Sequence, residues 1–288
     1  MFTHPLAFIL DFDESVLIFS DDEIRISLHG WQEHIRFGCT KKCFSHFEES
    51  LKFPEKYDCV FLGSGDYHHL SLLLLKRMAK KNKKFDVIVC DNHPDNMRYP
   101  FGIHCGSWIY HASMLPEVEH IHVLGITSSD ITNKHCLENY LSPLINRKVT
   151  YWSVGKNARW LNLIGAKRAH LDFDTPDALV EAFIAYMINK RHIYLSIDKD
   201  VFGKDVVETN WDQGCFTFVH VENLLSSCRE RLIGMDVTGE ISSYQFQGLF
   251  KRALIKWEGL EEPQGMKLKE WQEKHRKVNR MLWKLLEY

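Results

Sequence analysis

Six short apolar runs punctuate this chain, and four of them stop on an acid or lead into an acid and histidines. The runs are CVFLGSG at 59–65, FDVIVCD at 85–91, HIHVLGI at 120–126, VTYWSV at 149–154, HIYLSID at 192–198 and LIGMDV at 232–237. Near-continuous apolarity reads as a strand buried on both faces. Amphipathic stretches lie between the runs, such as LSLLLLKRMAKKNK at 70–83 and DALVEAFIAYMINK at 177–190. Strands alternating with helices predict an α/β fold with a central, mainly parallel sheet covered on both faces. No repeat or Pro/Gly/Ser linker divides the 288 residues, so a single domain, 1–288, is expected. Residues 1–55 read differently. LAFILDF, VLIFSDD and EIRISLH suggest a β-rich N-terminal extension, as a hairpin joined to the sheet edge. At the other end, Trp271, Val278, Leu282 and Leu285 recur at near-helical spacing among charged residues. They predict one amphipathic helix over 266–288, docked on its own domain or used as a subunit contact.

Several function classes are disfavoured early. A net charge of -2 gives no electrostatic case for nucleic acid or a membrane surface. No apolar run approaches the roughly 18 residues that cross a bilayer. The start, MFTHPLAFILDFDES, lacks a basic segment before its short apolar stretch, so a cytoplasmic location is expected. The eight cysteines then read as buried free thiols in a reducing compartment. His34, Cys39, Cys43 and His46 have the donor types of a zinc site, but their spacing matches no common finger, so they are expected to be unconnected.

Ligands of parallel α/β sheets collect at the carboxyl ends of the strands. After CVFLGSG come Asp66, Tyr67, His68 and His69. After FDVIVC come Asp91, Asn92, His93, Pro94 and Asp95. After HIYLSI come Asp198, Lys199 and Asp200. After LIGM come Asp236, Val237, Thr238, Gly239 and Glu240. One strand-end Asp is often only a helix cap. Four acid-bearing ends on one rim are different, because crowded carboxylates repel and raise one another's pKa. Two divalent cations remove that cost. Carboxylates with a few imidazoles suit manganese, with iron or zinc as alternatives.

The elements Asp91-Asn92-His93-Pro94-Asp95 and Ser196-Ile197-Asp198-Lys199-Asp200, with Gly63-Ser64-Gly65-Asp66-Tyr67-His68 before them, resemble the motifs of the arginase, or ureohydrolase, family. In that pattern they read Asp-Ala-His-x-Asp, Ser-x-Asp-x-Asp and Gly-Gly-Asp-His, in the same order. The resemblance spans residues 63 to 240 and implies a three-layer αβα fold with two Mn²⁺ ions. It implies one metal on a histidine, Asp91, Asp95 and Asp198, and another on Asp91, His93, Asp198 and Asp200. Tyr67 stands where the family has that first histidine. His68 is preferred as the ligand because it is nearer the strand end, which leaves His69 as a substrate contact or a helix-terminal residue. The two metals would share a hydroxide of lowered pKa, oriented by Asp95. His104, in Gly102-Ile103-His104-Cys105-Gly106, resembles a family element and is expected to shuttle the proton to the leaving amine. Glu240 is expected to hold the substrate's guanidinium, with Asp236 as second choice. Trp211 reads either as a rim residue, with Asp212 beside it, or as a plug in the core.

The departures bear on substrate. Free-arginine enzymes of the family follow Asp-x-His-x-Asp with a longer polar loop that grips the α-amino and α-carboxylate groups. Here the stretch is Asn96-Met97-Arg98-Tyr99-Pro100-Phe101, compact and partly aromatic. GSGDYHHLS, DNHPD, SIDKDVF and NWDQG resemble a divergent branch that includes the peptide arginases, which convert arginines of ribosomally made precursor peptides to ornithine. An arginine-containing precursor peptide is therefore the expected partner, and the resemblance leaves a homo-oligomer open. The alternatives are a small-molecule amidinohydrolase, a deacetylase-like amide hydrolase, or a metal-binding protein without turnover.

Overall fold

In the computed structural model, which describes residues 6–54, 56–81, 84–189, 192–258 and 263–287, one sheet takes up each of the six runs, while VLIFSDD in the opening segment forms no strand. Its strands are β1 (Ala7–Asp11), β2 (Ile24–Ser27), β3 (Cys59–Phe61), β4 (Phe85–Cys90), β5 (Val118–Ile126), β6 (Val149–Val154), β7 (His170–Phe173), β8 (Ile193–Asp198) and β9 (Leu232–Thr238). Their order is β2-β1-β3-β9-β8-β4-β5-β6-β7, and each neighbouring pair is parallel.

The runs are apolar throughout because alternate residues feed two cores. In β4, Phe85, Val87 and Val89 face one core, while Ile88 and Cys90 face the other. In β8, Tyr194 faces the first, and Ile193, Leu195 and Ile197 the second. The first core is closed by α1 (Lys41–Ser50), α2 (Ser71–Ala79) and α3 (Trp108–Ser113). The second is closed by α4 (Pro176–Met187), α5 (Phe218–Cys228) and α6 (Gly265–Glu287). The result is a three-layer αβα arrangement. Local chemistry sets the helix starts: Thr40 caps α1 by accepting from the Cys43 N–H, and Thr175 caps α4 with Pro176 at the first helical position.

Two expectations change. The opening strands do not form a hairpin, because β1 and β2 pair in parallel and β1 lies between β2 and β3. Apolar composition does not fix strand direction, and the segment 12–23 between them is long enough for a parallel return. The strand β7 was absent from the expected set: it is a short edge strand with both central residues exposed, so it carries no buried-strand signal. The helices expected at 70–83 and 177–190 appear as α2 and α4, with residues 82, 83 and 190 outside the described set. The C-terminal helix docks on its own chain, burying Val278, Leu282 and Trp283 in the second core, and Tyr288 lies outside the described residues. No helix among the described residues is long and apolar enough to cross a membrane.

For the site, the strand order matters most. The four strands whose ends carry the acids are neighbours at the middle of the sheet, β3-β9-β8-β4. Their end segments therefore converge.

Candidate metal centre

At the end of β4 the Asp91 N–H still donates to the Leu124 carbonyl, and the chain then turns sharply. Asp95 sits at φ +43°, a left-handed conformation that Asp tolerates better than most residues. There its Oδ2 accepts from the Trp108 indole N–H at 2.7 Å and lies 2.9 Å from His68 Nδ1. At the end of β3, Ser64 caps a 3₁₀ turn, Gly65–Leu70, which carries His68 inward. Its Nδ1 lies 3.3 Å from both Asp91 Oδ2 and Asp198 Oδ2. At the end of β8, Asp200 Oδ2 is 2.8 Å from His93 Nδ1, and the His93 N–H donates to Asp91 Oδ1 at 2.6 Å. The β9 end presses close to this turn. Gly239 is at φ +89°, and a Cβ there would meet Asp198 Oδ1 at 2.4 Å, so only glycine fits.

Two donor groups result: His68, Asp91 and Asp198, and Asp91, His93 and Asp200, each with ligand atoms within 4.8 Å of one another. Asp91 belongs to both. Burial and then the neighbouring Asp95 push the Asp91 carboxyl up to about 7. Burial and Asp200 push Asp198 to about 7, and burial and Asp91 push Asp200 to about 6. Among the described residues, the buried Asp91 Oδ2 has no donor beyond the His68 Nδ1 contact at 3.3 Å. Burial opposes a charged His68, yet bonds to Asp91 and Asp95 hold its imidazole well above the usual range. Burial likewise opposes a charged His93, and Asp200 overcomes it.

The tautomer of His68 gives an independent test of fit. Ser196 Oγ donates its proton to Asp236 Oδ1 at 2.7 Å, so toward His68 Nε2, 3.0 Å away, it is an acceptor. Nε2 then carries the proton, and Nδ1 presents a lone pair to the carboxylates when the ring is neutral. That is the arrangement a metal-ligating histidine needs. Four carboxylates and two imidazoles so arranged fit two divalent cations.

The remaining predicted residues divide. His69 is fully buried beside Phe44, ring centroids 6.3 Å apart, and is not on the cavity wall. Successive side chains of a 3₁₀ turn leave about 120° apart, so His68 and His69 cannot share a direction. Tyr67 turns to the core and stacks on Phe12 at 4.3 Å. Glu240 does not reach the cavity either. Its Oε1 accepts from Lys199 Nζ and from Asn279 Nδ2, the latter at 2.7 Å. Lys199, between two cavity-facing aspartates, points the other way and is fully buried; an ammonium in that position needs an anion, and Glu240 supplies it. Asp236 is fully buried within β9 and is saturated by Ser71, Ser196 and Tyr194, so it supports His68 instead of touching substrate. The Asp212 side chain is exposed and off the cavity wall, and only its carbonyl turns inward, accepting from Asn92 Nδ2 at 2.9 Å.

Trp211 and His104 do line the cavity, which holds about 730 Å³ above the acid cluster. Trp211 stacks on Phe37 at 6.2 Å and stands 6.0 Å from the His93 ring. His104 Nδ1 accepts from the Gly106 N–H at 2.9 Å, its ring meets Phe37 edge-on, and burial pushes it down to about 3. It is therefore a neutral wall residue whose Nε2 carries the proton. The wall also includes Met97, Tyr99 and Phe101, and the polar lining comprises Arg98, Asp130, His135 and Glu138. His34, Cys39, Cys43 and His46 form no metal group among the described residues, and His34 and His46 pack on Trp31.

Sequence reasoning missed Lys199, Arg36 and Asn92. Arg36 is buried and pairs with Asp66 at 2.7 Å and Asp13 at 3.2 Å, which ties the N-terminal segment to the His68 turn. Only long-range contact reveals it. Asn92 did carry a signal: it is a polar residue placed between two ligand positions.

No family model matches the sequence. A protein of Thermotoga maritima described as uncharacterised is 26% identical over 219 residues, covering 74% of this chain and 70% of that one. Among solved structures, proclavaminate amidino hydrolase from Streptomyces clavuligerus superposes with TM-score 0.55 at 14% identity, covering 99% of this chain and 93% of the other. Arginase from Bacillus caldovelox gives 0.55 at 14%, covering 99% of both. The agmatine ureohydrolase of Thermoplasma volcanium gives 0.54 at 13%, covering 99% and 90%. With its nine-stranded parallel sheet between two helical layers and a His/Asp cluster at the strand ends, the chain has the arginase-like α/β fold.

Proposed function

We propose that this protein is a binuclear metal hydrolase of guanidinium groups, acting on arginine side chains within a peptide to leave ornithine and release urea. The observation that carries the reading is the composition of the cavity. Its floor is the five residues of the two donor groups with Asp95 beside them, and its wall beyond them is largely aromatic and apolar. Manganese suits such an oxygen-rich set. When bound there, the two ions supply Lewis acidity and a lowered water pKa. The protein's own residues do the rest. Asp91 belongs to both donor groups, Asp198 completes the first and Asp200 the second, and the Trp108 indole fixes the Asp95 carboxylate that would orient the attacking water. Phe37 and Trp211 offer flat faces to a planar guanidinium. His104, neutral with its proton on Nε2, faces the same space as a hydrogen-bond donor to the substrate, while the proton needed by the departing amine comes from the attacking water by way of Asp95. Asp130 and Glu138 bias the cavity toward cations. The short aromatic stretch after Asp95 leaves the α-amino and α-carboxylate groups unread, as a substrate inside a peptide requires.

One observation favours a second reading. Glu240 is committed to Lys199, so no glutamate at that position waits for a guanidinium. A neutral amide, as in an acetylated amine, needs none. The two are separated by assaying Mn²⁺-loaded protein against arginine peptides, free arginine, agmatine and an acetylated polyamine. The primary reading predicts loss of one CH₂N₂ unit per arginine in the peptide, with urea in equal amount. Acetate release without urea supports the amide reading, and no product from any peptide contradicts the first.

A further inference from the structure

Asn92 stands between two ligand positions, and its backbone and side chain bond to three separate segments. Its N–H donates to Asp200 Oδ1 at 3.0 Å. Its Oδ1 accepts from both the Thr127 N–H, at 3.0 Å, and the Thr127 hydroxyl, at 2.7 Å. Its carbonyl accepts from the Ser128 N–H at 3.3 Å, and its Nδ2 donates to the Asp212 carbonyl at 2.9 Å. The residue is 1% exposed. Alanine, which the motif of the resembled family has at this place, makes none of the side-chain bonds.

The segments held this way carry cavity residues. Thr127 and Ser128 lead into the 3₁₀ turn Ser129–Ile131, where Asp130 lines the cavity. Asp212 follows Trp211, whose ring faces His93. We propose that Asn92 is a positioning residue: it ties the loop carrying Asp130 and the loop carrying Trp211 to the metal-bearing strand, and so sets the cavity's gauge for a cationic side chain. The gauge rests on Asn92 because its one side chain bonds to both loops from the segment that follows β4. Gln213 holds the second loop to Phe202 and Val207, and the Gly214 N–H donates to the Asp200 carbonyl; the first is held by the Ser128 cap on the Asp130 N–H, by Asn139 Nδ2 on the Asp130 carbonyl and by the Trp160 indole on the Ile131 carbonyl. None of these reaches β4. The cation preference rests on the proposed guanidinium hydrolysis; the clamp itself does not.

The test uses the full chain loaded with Mn²⁺, as wild type, Asn92→Ala and Thr127→Val. The Thr127 and Ser128 amides donate directly to Asn92, so their hydrogen exchange reads the clamp. In Asn92→Ala these amides are expected to exchange roughly tenfold faster, with the cores of β4 and β8 unchanged. The 5-fluorotryptophan resonance of Trp211, assigned with Trp211→Phe, is expected to shift or broaden. Thr127→Val removes only the hydroxyl bond and should give a smaller acceleration at the same amides, which keeps the test decisive if the alanine variant folds poorly. With a blocked arginine tripeptide, KM should rise severalfold while kcat changes less and Mn²⁺ affinity holds. Exchange that is unchanged, or faster throughout the sheet, overturns the clamp, as does an unmoved Trp211 signal. If wild type releases no urea, the proposed function falls, and the exchange and fluorine results alone decide the role of Asn92.

Discussion

The turn at the end of β8 separates two buried charge clusters of opposite character. On the cavity side, Asp198 and Asp200 join Asp91 and Asp95, with two histidines among them. On the other side, Lys199 meets Glu240, which also accepts from Asn279, and lies 3.4 Å from His275. The second cluster balances its charge within the protein. The first holds four carboxylates against two imidazoles and is left with raised carboxyl pKa values. Buried charge that is balanced serves the fold, whereas buried charge left unbalanced is a place for something that arrives from solution. Arg36 with Asp13 and Asp66 has more acid than base, but Ser242 and Ser64 share the load, so it also belongs to the structural kind.

The sharpest way to break this contrast is to remove one charge from each side. Asp91→Asn takes a carboxylate from both donor groups. Turnover should fall by about 10⁴-fold or more in steady-state assays, while the metal-free protein gains about 1–3 kcal/mol in urea denaturation, because a repelling charge is gone. On the balanced side the sign reverses. Glu240→Leu strands the Lys199 ammonium and should cost about 3–5 kcal/mol in the same denaturation, whereas Glu240→Leu with Lys199→Met should recover most of it. If both single variants destabilise the metal-free protein equally, the contrast fails.

Ser196→Ala is a finer probe. It removes the acceptor that keeps the proton on His68 Nε2, and should weaken Mn²⁺ binding by about 10- to 100-fold in calorimetry, with little change in the metal-free melt.

The smallest effect is the pH dependence of the metal-free protein. Asp91 and Asp198 are raised from 3.8 to about 7, so the folded state keeps protons that the unfolded chain has released over that window. Stability of the metal-free form should therefore fall as pH rises from about 4 to 7. The raised His68 and His93 act in the same direction at higher pH, since stability gained by a protonated histidine is lost as it deprotonates. Saturating Mn²⁺ should flatten or reverse the slope; thermal melts at several pH values, with and without the ion, read it.

The floor of the site was legible in the sequence because every component sits at a strand end, where local apolarity marks both the strand and its limit. The wall was not. Phe37 and Asp130 reach the cavity from opposite parts of the chain, and no spacing rule connects them to Asp91. Glu240 was misassigned for a related reason: spacing places it on the right rim, but its direction is decided by the buried Lys199. Nearness to the strand end favours His68 over His69 in the sequence, and the 3₁₀ turn adds the physical reason that their side chains leave in different directions. The hairpin expected at the start failed because apolar composition carries no information on strand direction, while the mainly parallel sheet followed from the longer pattern of strands and helices.

On the proposed reading, the unbalanced cluster holds two divalent cations side by side. Electron paramagnetic resonance of the wild-type protein titrated with Mn²⁺ tests it directly. Binding should saturate at two ions per chain, with the multiline signal of an exchange-coupled pair. Saturation at one ion or none, or two uncoupled ions, would contradict it.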